Sequence, residues 1–173
     1  MKRVLSFAAV AAVSIFAATQ VFAQAATQDI DVKATVGKYC KIGGEANPAK
    51  LTKTIPIDAA TNDVDTTAID FAVGSVVCNT ATDITTSSAQ GSVKGPANTN
   101  TSFANKIDYV ATAKLGTAGS TIDTATPANS AAGATAGAYS GDLAVKIAPV
   151  ANAKPLVGGS YLDTLTVTLT PKP

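Results

Sequence analysis

Two kinds of residue in this chain have types and spacing suited to chemistry: the cysteines Cys40 and Cys78, and the aspartates Asp58, Asp63, Asp65 and Asp70. A thiolate nucleophile or metal ligand needs an activating or co-ligating partner, usually histidine or further cysteines. The chain has no histidine and only 2 cysteines. The same absence removes Ser-His-Asp and Cys-His arrangements and the imidazole general base. A glycosidase pair of carboxylates would have to be drawn from distant segments, and the one glutamate, Glu45, sits in a Gly-rich turn. The four aspartates are a candidate calcium loop, but they lack the glycine and terminal glutamate of an EF-hand, so they read as a solvated acidic loop. Asn100-Thr101-Ser102 is a glycosylation sequon. The chain therefore reads as no enzyme, with no cofactor, no metal site and no small-molecule substrate. The cysteines are left with a structural role: in an exported protein an even pair forms a disulfide, here worth roughly 4 kcal/mol in the chain-entropy model.

Export is suggested by the first residues. Lys2 and Arg3 form a basic start, Val4 to Phe22 is apolar, and Val21-Phe22-Ala23 offers a cleavage site before Gln24, which makes residues 1–23 a Sec signal peptide. A membrane anchor is the competing reading. Ser14, Thr19 and Gln20 interrupt the run, however, and no basic stop-transfer cluster follows. The remainder is long enough for one domain with a real core. Across the chain 13 basic residues meet 12 acidic ones, and no arginine follows Arg3, so there is no electrostatic footprint for nucleic acid. With 0 Trp, 4 Tyr and 5 Phe, the core has to come from Val, Ile, Leu and Ala.

The elements that would position these residues are strands. Residues 28–36 alternate, with Ile30, Val32, Ala34 and Val36 on one face and polar residues on the other. Tyr39 to Ile42 leads into a Gly43-Gly44 turn, and Thr54-Ile55-Pro56-Ile57 reads as an edge strand. Ala68 to Val73 and Ser75 to Cys78 flank Gly74, as one bulged strand or two short ones. Residues 80–105 read as mostly loop, with a weak strand at Asp83 to Thr86. Ile107 to Leu115 and Leu143 to Val150 are half-buried strands. Residues 116–137 are low in complexity, and the best helix candidate, Ser130 to Ala138, is Ala-rich but broken by Gly133 and Gly137. In the last strand, Leu165, Val167 and Leu169 alternate with Thr164, Thr166, Thr168 and Thr170. Many short strands with Gly/Pro/Asn punctuation and no sustained 3.6-residue apolar period predict an all-β sandwich.

Three stretches resemble the spore coat protein U family, which overlaps the subunits of archaic chaperone–usher pili. They are Gln28 to Val36 followed by Cys40 and Gly43-Gly44; Gly74-Ser75-Val76-Val77-Cys78; and the closing Gly159-Ser160-Tyr161-Leu162-Asp163-Thr164, which leads into the alternating strand. The chain departs from the family where a Phe-Gly pair is common, reading Leu51-Thr52-Lys53-Thr54 instead. The resemblance implies an immunoglobulin-like β-sandwich lacking its final strand, over residues 37–173, with a groove walled by Leu165, Val167 and Leu169. A periplasmic chaperone would fill the groove first. Residues 24–36 of the next subunit, with Ile30, Val32, Ala34 and Val36 as plugs, would then replace it at an outer-membrane usher. Head-to-tail insertion of this kind generates a filament.

Residues 28–36 alone also admit a second use, as an ordinary first strand of their own domain. Two function classes follow. One is a structural subunit of a surface fibre or coat, for adhesion or biofilm formation. The other is a self-complete secreted sandwich that binds a carbohydrate or surface ligand, a reading that the scarcity of aromatic residues disfavours.

Overall fold

In the computed structural model, residues 28, 30–46, 48–126 and 130–173 are described. The signal-peptide reading of residues 1–23 lies outside them. The chain divides into two units, Met1–Thr35 and Val36–Pro173. In the first, residues 30–35 form no ladder, and the exposed Lys33 and Asp31 side chains meet at 3.6 Å.

The second unit is all-β, with no helix among the described residues. Its strands are β1 (Cys40–Ile42), β2 (Ile69–Cys78), β3 (Thr82–Ser88), β4 (Val93–Lys94), β5 (Lys106–Ile107), β6 (Tyr109–Leu115), β7 (Ala118–Asp123), β8 (Ser130–Ala136), β9 (Tyr139–Pro149) and β10 (Leu165–Pro171). A five-stranded sheet has the order β1-β2-β9-β6-β7, a three-stranded sheet the order β10-β3-β8, and β4 with β5 makes a small ribbon. All ladders are antiparallel.

Alternation explains most of the elements. In β6 the side chains of Tyr109, Ala111, Ala113 and Leu115 are buried, while Val110, Thr112 and Lys114 face outward. β9 does the same with Leu143 and Val145 against Ala144 and Lys146. One core draws on both sheets: Val76, Cys78, Ala113, Leu115, Leu143 and Val145 from one, Ile84 and Ala136 from the other. Inward residues of two sheets interdigitating over a shared core is the arrangement of a β-sandwich. Gly116, at φ +58°, supplies the left-handed residue that the two-residue β6–β7 loop needs. A second cluster, Val64, Ile107 and Leu156, is joined by Ile55, Val93, Ala104 and Tyr161.

Several expectations change. Thr54 to Ile57 is not a strand; Ile57 makes only an isolated bridge with Val64, because the proline and the turn that follows stop a ladder from propagating. The Ser130 to Ala138 helix candidate is instead β8. A Cβ on Gly133 would lie 2.2 Å from the carbonyl oxygen of Gly119, so β8 runs where only glycine fits, and packing against β7 overrides alanine's helical preference. The weak strand expected at Asp83 to Thr86 is present and longer, as β3, the middle strand of its sheet, and the short β4 lies in the stretch read as loop after it. Ile107 to Leu115 is two strands broken at Asp108, and Ile69–Cys78 is one strand whose register shifts between Val73 and Val76.

The disulfide joins Cys40 and Cys78, directly opposed residues of β1 and β2 with Cα atoms 4.1 Å apart. A three-residue strand brings little apolar area of its own, so the covalent bond is what fixes β1 to the sheet edge. Replacing both cysteines with serine should therefore cost about 4 kcal/mol and lower the melting temperature by roughly 10 °C. Calorimetry of oxidised wild type against the double variant checks this, and equal melting temperatures would refute it.

Candidate functional site: the open flank of the sandwich

Along one flank the two sheets are sealed. Gly133 lets β8 approach the backbone of β7 at Gly119, and Ser120 Oγ donates to the carbonyl of Ala131 at 2.7 Å. The other flank is different. β1 opposes only Val76 to Cys78, so residues 69–73 of β2 are paired with β9 alone. β10 is an edge strand that pairs only with β3. Each edge carries a row of backbone groups with no ladder partner, the usual template for an added strand.

The side chains along this flank are apolar and half-buried. Leu165, Val167 and Leu169 point inward from β10 against the core, while Thr166, Thr168 and Thr170 are exposed. Cys40, Ile42, Phe71, Val73 and Ile147 are likewise partly buried against the same core. Fully packed strands of the same sandwich bury their inward residues outright, as β6 does with Ala111 and Ala113 at 0%. Among the described residues, this flank therefore carries a run of apolar side chains packed against the core but only partly covered.

The closing sequence motif holds β10 in place. Tyr161 lies over Gly95, where a Cβ would sit 2.4 Å from the ring, and its hydroxyl faces the carbonyls of Val157 at 2.9 Å and Ala104 at 3.2 Å. Burial raises the Tyr161 pKa, partly opposed by the hydrogen bond to Val157. Leu162 exchanges backbone hydrogen bonds with Lys94. Asp163 is the hub: Oδ2 accepts from Tyr109 Oη at 2.6 Å and Ser88 Oγ at 2.5 Å, and Oδ1 from the amides of Gln90 at 3.0 Å and Thr164 at 2.7 Å. One carboxylate thus ties β6, the end of β3 and the start of β10 together through charge-assisted bonds. Tyr109 is 2% exposed, and burial, then the Asp163 carboxylate, push its pKa well above the ordinary 10.0, with Ser88 pulling the other way. At its far end β10 is held by Lys172, whose amide donates to Ala81 O at 2.7 Å and whose ammonium meets Asp83 at 2.8 Å.

The residues singled out in the sequence fall as follows. Cys40 and Cys78 are bonded. Leu165, Val167 and Leu169 line this flank. Ile30 at 80%, Val32 at 92% and Val36 at 77% exposure are unburied, as is Ala34, and none of the four belongs to a ladder. Asp58 and Asp65 each spend a carboxylate oxygen on turn amides, Ala60 N and Thr67 N, and the bonds from Thr67 lower the Asp65 pKa. Sequence reasoning missed Tyr109 and Ser88 as partners of Asp163, because the motif that contains Asp163 gives no sign of what it bonds. Comparison with family models, with curated proteins and with solved structures finds no match.

The Asp163 hub generates a pH prediction. A phenol whose folded-state pKa is raised contributes stability that is intact below about pH 10 and is lost as pH rises through the folded value. Tyr109→Phe should cost about 1 kcal/mol at neutral pH yet flatten the alkaline limb of the stability curve. Denaturant melts from pH 7 to 11 measure both, and parallel alkaline limbs in the two proteins would contradict it.

Proposed function

We propose that the chain is a structural subunit of a secreted surface fibre or coat that polymerises head to tail by strand donation. The observation that supports this reading is the edge of β10, unpaired among the described residues, with Leu165, Val167 and Leu169 half-buried against the core, while residues 69–73 of β2 in the facing sheet pair with β9 alone. An exposed apolar edge of this kind is a hazard unless a strand covers it. The chain itself carries a segment suited to cover it in another copy. Ile30, Val32, Ala34 and Val36 alternate over seven positions, 30–36, and β10 offers seven residues, Leu165–Pro171. Alternate side chains of an added strand drop into successive pockets while its backbone completes the ladder.

In this reading the fold is immunoglobulin-like and lacks its final strand. A periplasmic chaperone shields the slot until an outer-membrane usher exchanges it for the N-terminal segment of the next subunit. Insertion is heterologous and non-closing, so the product is a filament, and a single globular unit suits a stalk position. Attachment to surfaces or biofilm growth is the service such a filament gives.

The experiment is a polymerisation assay on sheared surface material, read on unheated SDS gels and by electron microscopy. Ile30→Asp with Val32→Asp should abolish the ladder of multimers. The same variant should still bind a peptide of residues 24–36 and gain thermal stability from it, because its slot is untouched. Val167→Asp should lose the peptide response. Unchanged fibres in the double variant would refute donation, and a wild-type monomer indifferent to the peptide would favour a self-complete sandwich.

A further inference from the structure

Asn79 follows β2 directly and faces the residues that lead into β1. Its amide donates to Tyr39 O at 3.2 Å, which continues the ladder one step beyond the Cys40–Cys78 pair. Its carboxamide goes further: Oδ1 accepts from Tyr39 N at 2.8 Å, and Nδ2 donates to Gly37 O at 2.8 Å. A carboxamide presents an acceptor and donors in one plane, as a peptide group does. The side chain thus stands in for one more residue of a neighbouring strand, and it keeps Gly37, Lys38 and Tyr39 in line with β1 where the strand itself has stopped.

The location gives this clamp its importance. Lys172 N donates to Ala81 O at 2.7 Å and Thr80 Oγ1 donates to Lys172 O at 3.2 Å, so the far end of β10 lies at the same corner as Asn79. For the segment before Gly37 to fill the slot of its own subunit, the chain would have to reverse through Gly37-Lys38-Tyr39. Three residues including a glycine are a common hairpin loop, so the sequence permits the reversal. It would, however, break both carboxamide bonds, which require that stretch to run straight. A short linker gives self-insertion an effective concentration on the order of millimolar, so any bond that opposes the reversal shifts the balance toward a neighbouring subunit.

We infer that Asn79 is a positioning residue that biases, by about tenfold, which copy the N-terminal segment fills, in favour of the slot of a second copy of this chain. The inference rests on the strand-donation reading and adds to it the choice between self and neighbour.

The test uses the full chain, exported and recovered from periplasm and surface, as wild type, Asn79→Ala, Asn79→Asp and the Ile30→Asp/Val32→Asp control. Unheated SDS gels and light scattering give the monomer-to-polymer ratio, and limited proteolysis reports whether residues 24–36 of the monomer are protected. Asn79→Ala should raise that ratio about tenfold, the equivalent of the two hydrogen bonds lost, and its monomer should melt cooperatively with a protected N-terminal segment. Asn79→Asp keeps the acceptor for Tyr39 but cannot donate to Gly37, so it should fall between. Wild-type polymerisation in Asn79→Ala would overturn the inference and leave donation standing. A monomer with a protease-sensitive segment, or loss of cooperative melting in both variants, would also overturn it. Polymers indifferent to the Ile30/Val32 control would instead refute the underlying reading.

Discussion

Among the described residues the backbone of β10 pairs on one side only, with β3, and the contacts that hold both of its ends follow from that. A strand buried on its inner face normally gains a neighbour on each side, since every unpaired N–H or C=O held away from water costs about as much as a lost hydrogen bond. Here the missing neighbour leaves β10 with three inward apolar residues that reach the core without being sealed into it. Threonines on the outward face keep the strand polar on that side, and Pro171 with Lys172 blunts only its last residues, leaving Leu165 to Thr170 without a charge or proline. An edge built this way is tolerated where something is meant to cover it.

Such an edge serves a purpose only if both of its walls hold still while it is uncovered. The structure fixes each wall by a bond that does not depend on hydrophobic burial. On one side the Cys40–Cys78 disulfide holds β1 to the end of β2. On the other, the Asp163 carboxylate gathers donors from Tyr109, Ser88, Gln90 and Thr164, and so sets the height at which β10 begins. On the opposite flank β8 packs closely on β7, where a Cβ on Gly133 would lie 2.2 Å from the carbonyl oxygen of Gly119. A pre-formed slot spares its occupant the cost of ordering the walls.

Legibility in the sequence followed the apolar alternation. β6, β9, β10 and both halves of β2 were readable because apolar residues recur at every second position, and the Cys40–Cys78 pair followed from an even cysteine count with no histidine in the chain. β3 was nearly invisible because its buried face is Thr82, Ile84, Thr86 and Ser88. Hydroxyls mark an inward face only when a partner is known, and two of those partners, Cys40 Sγ and Asp163, are distant in sequence. β8 was misread for the opposite reason. Its alanines say helix locally, and only the backbone of Gly119 pressed against Gly133 says strand. Asn79 carried no signal at all, since a carboxamide that mimics a peptide group looks like any loop asparagine until the neighbouring chain is in place.

The slot residues were legible in a way that their partner was not. Period-two alternation places Leu165, Val167 and Leu169 on one face whichever sheet they join, and it does the same for Ile30, Val32, Ala34 and Val36. What alternation cannot state is whether a strand finds its neighbour within its own copy. In the proposed strand donation, chain direction at the three residues between Val36 and Cys40 would bias that choice. There the competition is between two hydrogen bonds from one side chain and the large local concentration of a tethered strand. Chain direction ahead of β1 is held by the polar contacts of Asn79 with Gly37 and Tyr39, which hydrophobic patterning does not report.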